Sequence, residues 1–108
     1  MKTFIFKFKG KLFKIKAKEC KTLFSKMLGL MFKKNSPSLL FYFSEEKSEP
    51  IHSFFCVPFV AVWFKKNKLV DIRLIKKWKA IILPESPFDK LLEIPINDFN
   101  FKEISRRI

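Results

Sequence analysis

Phe4-Ile5-Phe6-Lys7-Phe8-Lys9-Gly10-Lys11-Leu12-Phe13-Lys14-Ile15-Lys16-Ala17-Lys18 decides the fold class of this chain. Before Gly10, Phe4, Phe6 and Phe8 share one parity, and Lys7 and Lys9 hold the other. After it the phase changes, and Phe13, Ile15 and Ala17 oppose Lys14, Lys16 and Lys18. Successive side chains of a strand point to opposite faces, so period two on both sides of a Lys9-Gly10-Lys11 turn predicts a β-hairpin with an aromatic face and a lysine face.

Outward from the hairpin the period lengthens. Leu23, Met27, Leu30 and Met31 lie at i, i+4, i+7 and i+8, the stripe of a short amphipathic helix over about 22–29, with Thr22 as N-cap and Gly29 near its end. So short a helix needs a sheet to lie on. Leu39 to Phe43 is an unbroken apolar run, expected to be a strand buried on both faces, and Ser44 to Pro50 is expected to be a solvated acidic loop. Strand pieces are expected at Ile51 to Cys56, Phe59 to Phe64 after Pro58, Leu69 to Ile75, Lys79 to Leu83 and Phe88 to Ile94, with a hairpin turn over Lys65-Lys66-Asn67-Lys68. The tail 96–108 receives no assigned element. Short strands, one small helix and no βαβ alternation predict a mainly-β single domain over 1–108, a jelly-roll-like sandwich or partly closed barrel. At 108 residues the chain has room for one core and not two.

The formal charge is +13, unevenly spread. Residues 1–34 hold eleven Lys against one Glu, a net +10, and residues 51–80 add +6, whereas 35–50 and 81–108 stand at −2 and −1. Such a field attracts anionic partners, and it also keeps an aromatic-rich domain soluble. Twenty of the 23 basic residues are Lys, which weighs against base reading by Arg's bidentate fork. Lys7, Lys9, Lys14 and Lys16 form the candidate basic face. Together with Lys11 these lysines interrupt any signal-peptide h-region, and the longest uncharged run, Ile51 to Phe64, is fourteen residues broken by Pro58. A membrane helix needs about twenty. Two isolated thiols, Cys20 and Cys56, point to a reducing compartment, and the cytoplasm is the expected location.

The order of several segments resembles the domain-of-unknown-function family number 192, a set of small prokaryotic proteins, over about residues 13–95. Its Gly-Leu-Met-Phe-Arg motif corresponds to Gly29 to Lys33, its Leu-Leu-Phe-x-Phe strand to Leu39 to Phe43, and its Ile-His-x-Phe-Phe segment to Ile51 to Phe55, followed by Pro58 and Phe59 to Phe64. Its Lys-Pro-Trp-Arg-like segment and Leu-Glu-Leu-Pro strand correspond to Lys76-Lys77-Trp78-Lys79 and Leu92-Glu93-Ile94-Pro95. The resemblance implies a jelly-roll-like β domain and brings no settled activity with it. This chain departs from the pattern in carrying Lys33 for the usual Arg and Val60 for the usual Asp, and it lacks the Val-Gly-Asp ending.

Catalytic constellations are thin. His52, the lone histidine, precedes Cys56 by four positions, which on a straight strand separates them by roughly 13 Å. A nucleophilic pair needs contact near 3 Å. No metal-ligand spacing, Gly-rich phosphate loop or nucleophile elbow is present, so no cofactor, metal or catalytic residue is assigned. Asp71 and Glu93 read as outward residues of alternating strands, and Trp63 as core. Trp78, flanked by Lys76, Lys77 and Lys79, is a possible stacking platform. The leading expectation is a non-catalytic binding module with a lysine-rich face, in which Lys33, His52, Trp78 and Lys79 are candidate ligand contacts. The alternative is an enzyme of unassigned type with its site near His52. A third reading is a single-stranded nucleic-acid binder.

Overall fold

A computed structural model describes residues 1–20, 37–47, 58–76 and 86–108. The expected helix at 22–29 and the strands at 51–56 and 79–83 lie outside these residues. The described elements are β1 (Lys2–Phe8), β2 (Lys11–Cys20), β3 (Ser38–Lys47), β4 (Phe59–Lys65), β5 (Lys68–Ile75), β6 (Phe88–Pro95) and a helix α1 (Phe101–Arg107). The strands form one sheet in the order β1-β2-β3-β6-β4-β5. The protein is mainly β, a single compact domain built on a curled, half-barrel sheet.

Two tight turns set the hairpins. Lys9 and Gly10 have φ of 49° and 79°, and Lys66 and Asn67 have 49° and 66°. Positive φ at both central residues is the twist that two-residue hairpin loops require. The second turn is tied to β6, where the Lys66 N–H donates to Asp89 Oδ2 at 3.0 Å and Lys90 Nζ donates to Asn67 Oδ1. One pairing departs from the hairpin pattern: β2 and β3 run parallel, from Ala17↔Ser38 to Cys20↔Phe41. β3 is also longer than its apolar core. It continues through residues expected to be a loop as far as Lys47, which pairs with Phe88 across an irregularity in register. Cross-strand pairing here overrides a polar composition.

The curl follows from ring contacts. In a flat sheet β1 and β4, with β2, β3 and β6 between them, would stand about 19 Å apart at the usual strand spacing. The Phe4 and Phe64 rings meet edge-on at 4.9 Å, and Phe6 and Phe64 at 5.7 Å. The concave face therefore buries Phe6, Phe13, Ile15, Val62, Phe64 and Ile94 in one cluster, closed by Ile104 of α1. The other face buries Leu39, Phe41, Phe59, Trp63, Phe88 and Leu91.

The tail, unassigned from sequence, forms α1 because its neighbours hold it. Seven residues cannot sustain a helix alone, so docking must supply its stability. The Ser38 hydroxyl donates to Asp98 Oδ2 at 2.6 Å, Asp98 Oδ1 accepts the Asn100 N–H at 2.8 Å, and Asn100 Nδ2 donates to the Lys14 carbonyl at 3.3 Å. Lys11 pairs with Glu103 and holds its carboxyl below the ordinary value.

Candidate functional site

The register of the first hairpin builds a two-sided ribbon. Phe4 lies opposite Ile15 and Phe6 opposite Phe13 on the concave side, while Thr3↔Lys16, Ile5↔Lys14 and Lys7↔Leu12 form the outer side. Lys7, Lys9, Lys14 and Lys16 are all exposed. Ile5 and Leu12 stand among them, 52% and 56% exposed. Among the described residues no carboxylate pairs with Lys7, Lys14 or Lys16, so their charge is directed at solvent. Lys9 lies 5.4 Å from the Phe8 ring centre, beside the turn. Two further lysines of the hairpin are engaged: Lys11 with Glu103, and Lys2 with the Tyr42 hydroxyl and Glu19.

Phe99 is a further exposed feature of the tail. It is 96% exposed, and the next residue, Asn100, is bonded to the Lys14 carbonyl. An exposed aromatic ring thus precedes the residue that ties the tail to the β2 backbone. The sequence marks Phe99 only as one of the tail's scattered aromatics, because nothing in the spacing ties residue 99 to residue 14. Ile5 and Leu12 share the lysine parity of the alternation, although the sequence reading singled out only the lysines.

Lys33, His52, Trp78 and Lys79 lie outside the described residues, and so does the site of the enzyme alternative.

The convex side of the central strands corrects two expectations. Glu93 is not outward; it is 6% exposed, in register with Leu39 on β3 and Ala61 on β4. Burial pushes its carboxyl up to about 8, so it is a neutral acid at physiological pH. Asp71 is not a plain surface acid either. Its carboxylate pairs with Arg73 at 2.8 Å, and its Oδ1 accepts the Ile72 N–H at 2.8 Å. Arg73 lies 5.8 Å from the Trp63 ring, and the buried Trp63 Nε1 has no partner among the described residues. Trp63 itself is fully buried, as its apolar surroundings imply. A neutral buried carboxyl is able to donate a hydrogen bond or a proton, as general acids do. Among the described residues, no group of three or more His, Cys, Asp and Glu is placed to hold a metal. No described helix is long and apolar enough to cross a membrane.

No family model matches the chain, and no curated protein does. Solved structures do. The chain is similar to a protein of unknown function from Novosphingobium aromaticivorans DSM 12444, with a TM-score of 0.72 and 15% identity over 86% of this chain and 70% of that one. It is similar to a candidate transcription regulator from Sinorhizobium meliloti 1021, with a TM-score of 0.72 and 16% identity over 84% of this chain and 76% of that one. At such identity the likeness establishes the shared fold alone.

Proposed function

We propose that this chain is a non-catalytic binding module that takes an anionic partner on the outer face of its first hairpin. We also propose that it is a divergent, prokaryotic member of the domain-of-unknown-function family number 192, working in the cytoplasm, where Cys20 and Cys56 stay reduced. The observation that carries the binding reading is the exposure of Lys7, Lys14 and Lys16 on one side of a paired ribbon, with no described carboxylate to neutralise them. A coat that served solubility alone would have no need of Ile5 and Leu12, which cost exposed apolar area at the centre of the face. Together they make a patch that is cationic at its margins and apolar within.

The test is binding of poly-L-glutamate and of oligothymidine to the whole chain at about 20 mM and about 200 mM salt. Contacts that neutralise several charges release counterions, and affinity is expected to fall at least tenfold across that range. Absence of binding to either polymer at low salt contradicts the proposal. A single-stranded nucleic acid is the second reading. The exposed ring of Phe99 favours it, because bare aromatic rings offer a base a stacking surface.

A further inference from the structure

We propose that the outer edge of β1, which no other described strand occupies, accepts an acidic, extended polypeptide segment as an added strand. This deepens the binding reading above and rests on it. Among the described residues β1 ends the sheet and pairs with β2 alone. The turn at Lys9-Gly10 makes Phe8 and Lys11 the closing pair of a two-residue loop, and that pair exchanges both backbone bonds. The bonded positions then alternate, so Lys2, Phe4, Phe6 and Phe8 turn their backbone groups toward β2. Thr3, Ile5 and Lys7 turn theirs off the edge. No described backbone takes up these groups.

Among the described residues the edge is an open template. β1 runs seven residues in unbroken register, with neither a proline nor a bulge, the devices that ordinarily blunt an edge strand. Its chemistry selects the partner. A strand laid along it would place one set of side chains outward, beside Lys7 and near Lys14 and Lys16, and the other set inward, beside the half-buried rings of Phe4 and Phe8. Acidic residues suit the first set and apolar residues the second. A second copy of this chain does not suit it, because edge-to-edge pairing would bring the two lysine faces together, and like charges across strands are destabilising. A nucleic acid cannot match a row of backbone donors and acceptors spaced two residues apart, and every ring of the hairpin belongs to the concave side. Strand addition, in which the main chain supplies affinity and alternate side chains supply selectivity, fits both features.

The test uses the full-length chain with isotope-labelled amides and three probes: a ten-residue peptide alternating Glu and Leu, its counterpart alternating Lys and Leu, and a ten-nucleotide oligothymidine. The Glu-Leu peptide is expected to bind and to slow hydrogen exchange at the Thr3, Ile5 and Lys7 amides at least tenfold; the Lys-Leu peptide is expected to do neither. Ile5→Pro, which removes an N–H that β2 does not use, is expected to weaken binding at least tenfold. Lys7→Glu, at an exposed position, is expected to do the same with unchanged thermal unfolding, and it stands in if Ile5→Pro does not fold. Binding of the Glu-Leu peptide without protection of those three amides overturns strand addition and leaves the lysine-face reading intact. Binding of oligothymidine but not of the peptide overturns the choice of partner. Binding of none of the probes, together with no affinity for poly-L-glutamate, overturns both.

Discussion

The first hairpin and the central strands β4 and β6 are made from nearly the same apolar residues, yet they obey different rules. The hairpin is half-buried, with rings on the concave side and lysines on the other, so every second residue reports its environment. β4 is buried along both faces from Phe59 to Phe64, and β6 is buried from Leu91 to Pro95. In such a strand parity chooses between two interiors rather than between interior and water. A carboxylate that would mark the solvent side in the hairpin, Glu93, is here enclosed. The central strands hold the enclosed core, and the hairpin presents the face proposed to bind.

The largest effect expected from this contrast belongs to Glu93. The folded protein holds the Glu93 proton up to about pH 8, whereas the ordinary carboxyl value of 4.5 applies once the chain unfolds. Between those values the folded state binds the extra proton, so stability falls as pH rises through this window and levels off above about 8. The full difference is on the order of 5 kcal/mol, from about 1.4 kcal/mol for each unit separating the two values. Urea unfolding of the native chain and of Glu93→Gln from pH 4 to 9 checks it, and the variant is expected to lose this slope. Equal slopes would mean that Glu93 meets water after all. Lys18, Leu39, Ala61 and Arg73 are the register neighbours along its row of the sheet, and Asp71 lies on the same side.

Trp63→Ala comes next. Removing a fully buried indole from the centre of the convex core is expected to cost about 3–5 kcal/mol, read as a lowered urea midpoint with little change in slope. Gly10→Ala is smaller. An added Cβ would meet nothing within 4 Å, but φ of +79° strains any side chain, so a loss of about 1–2 kcal/mol is expected. Smallest of all is Lys14→Ala, at an exposed position without a described carboxylate partner, where thermal unfolding should place the change within about 0.5 kcal/mol. A large loss at Lys14 would show that the outer face of the hairpin is structural, and the contrast between the two regions would fail.

Much of the architecture was legible because strand alternation is a local signal. Phe4, Phe6, Phe13 and Ile15 announced their side of the ribbon, and the turns at Gly10 and at Lys66-Asn67 were marked by the residues they need. The parallel pairing of β2 with β3 was not legible, because the choice of neighbour depends on strands far along the chain. α1 escaped for a related reason: Ser38, Lys11 and Lys14 hold it, and these lie 60 or more positions upstream of their partners. Glu93 was misread because Leu92-Glu93-Ile94 looks the same in a half-exposed strand as in one enclosed on both sides. The lysine face was legible residue by residue, while the exposure of Phe99 became visible only when the tail was seen docked on β2.

The central claim is that the outer face of the hairpin binds rather than merely solubilises. It is tested most directly by joining Lys7→Glu, Lys14→Glu and Lys16→Glu in one chain and measuring poly-L-glutamate affinity at low salt beside the thermal unfolding midpoint. The account predicts that affinity falls at least a hundredfold while the midpoint stays within about 5 °C, a shift worth roughly 1 kcal/mol for a domain of this size. Undiminished affinity in a chain that still folds would contradict it.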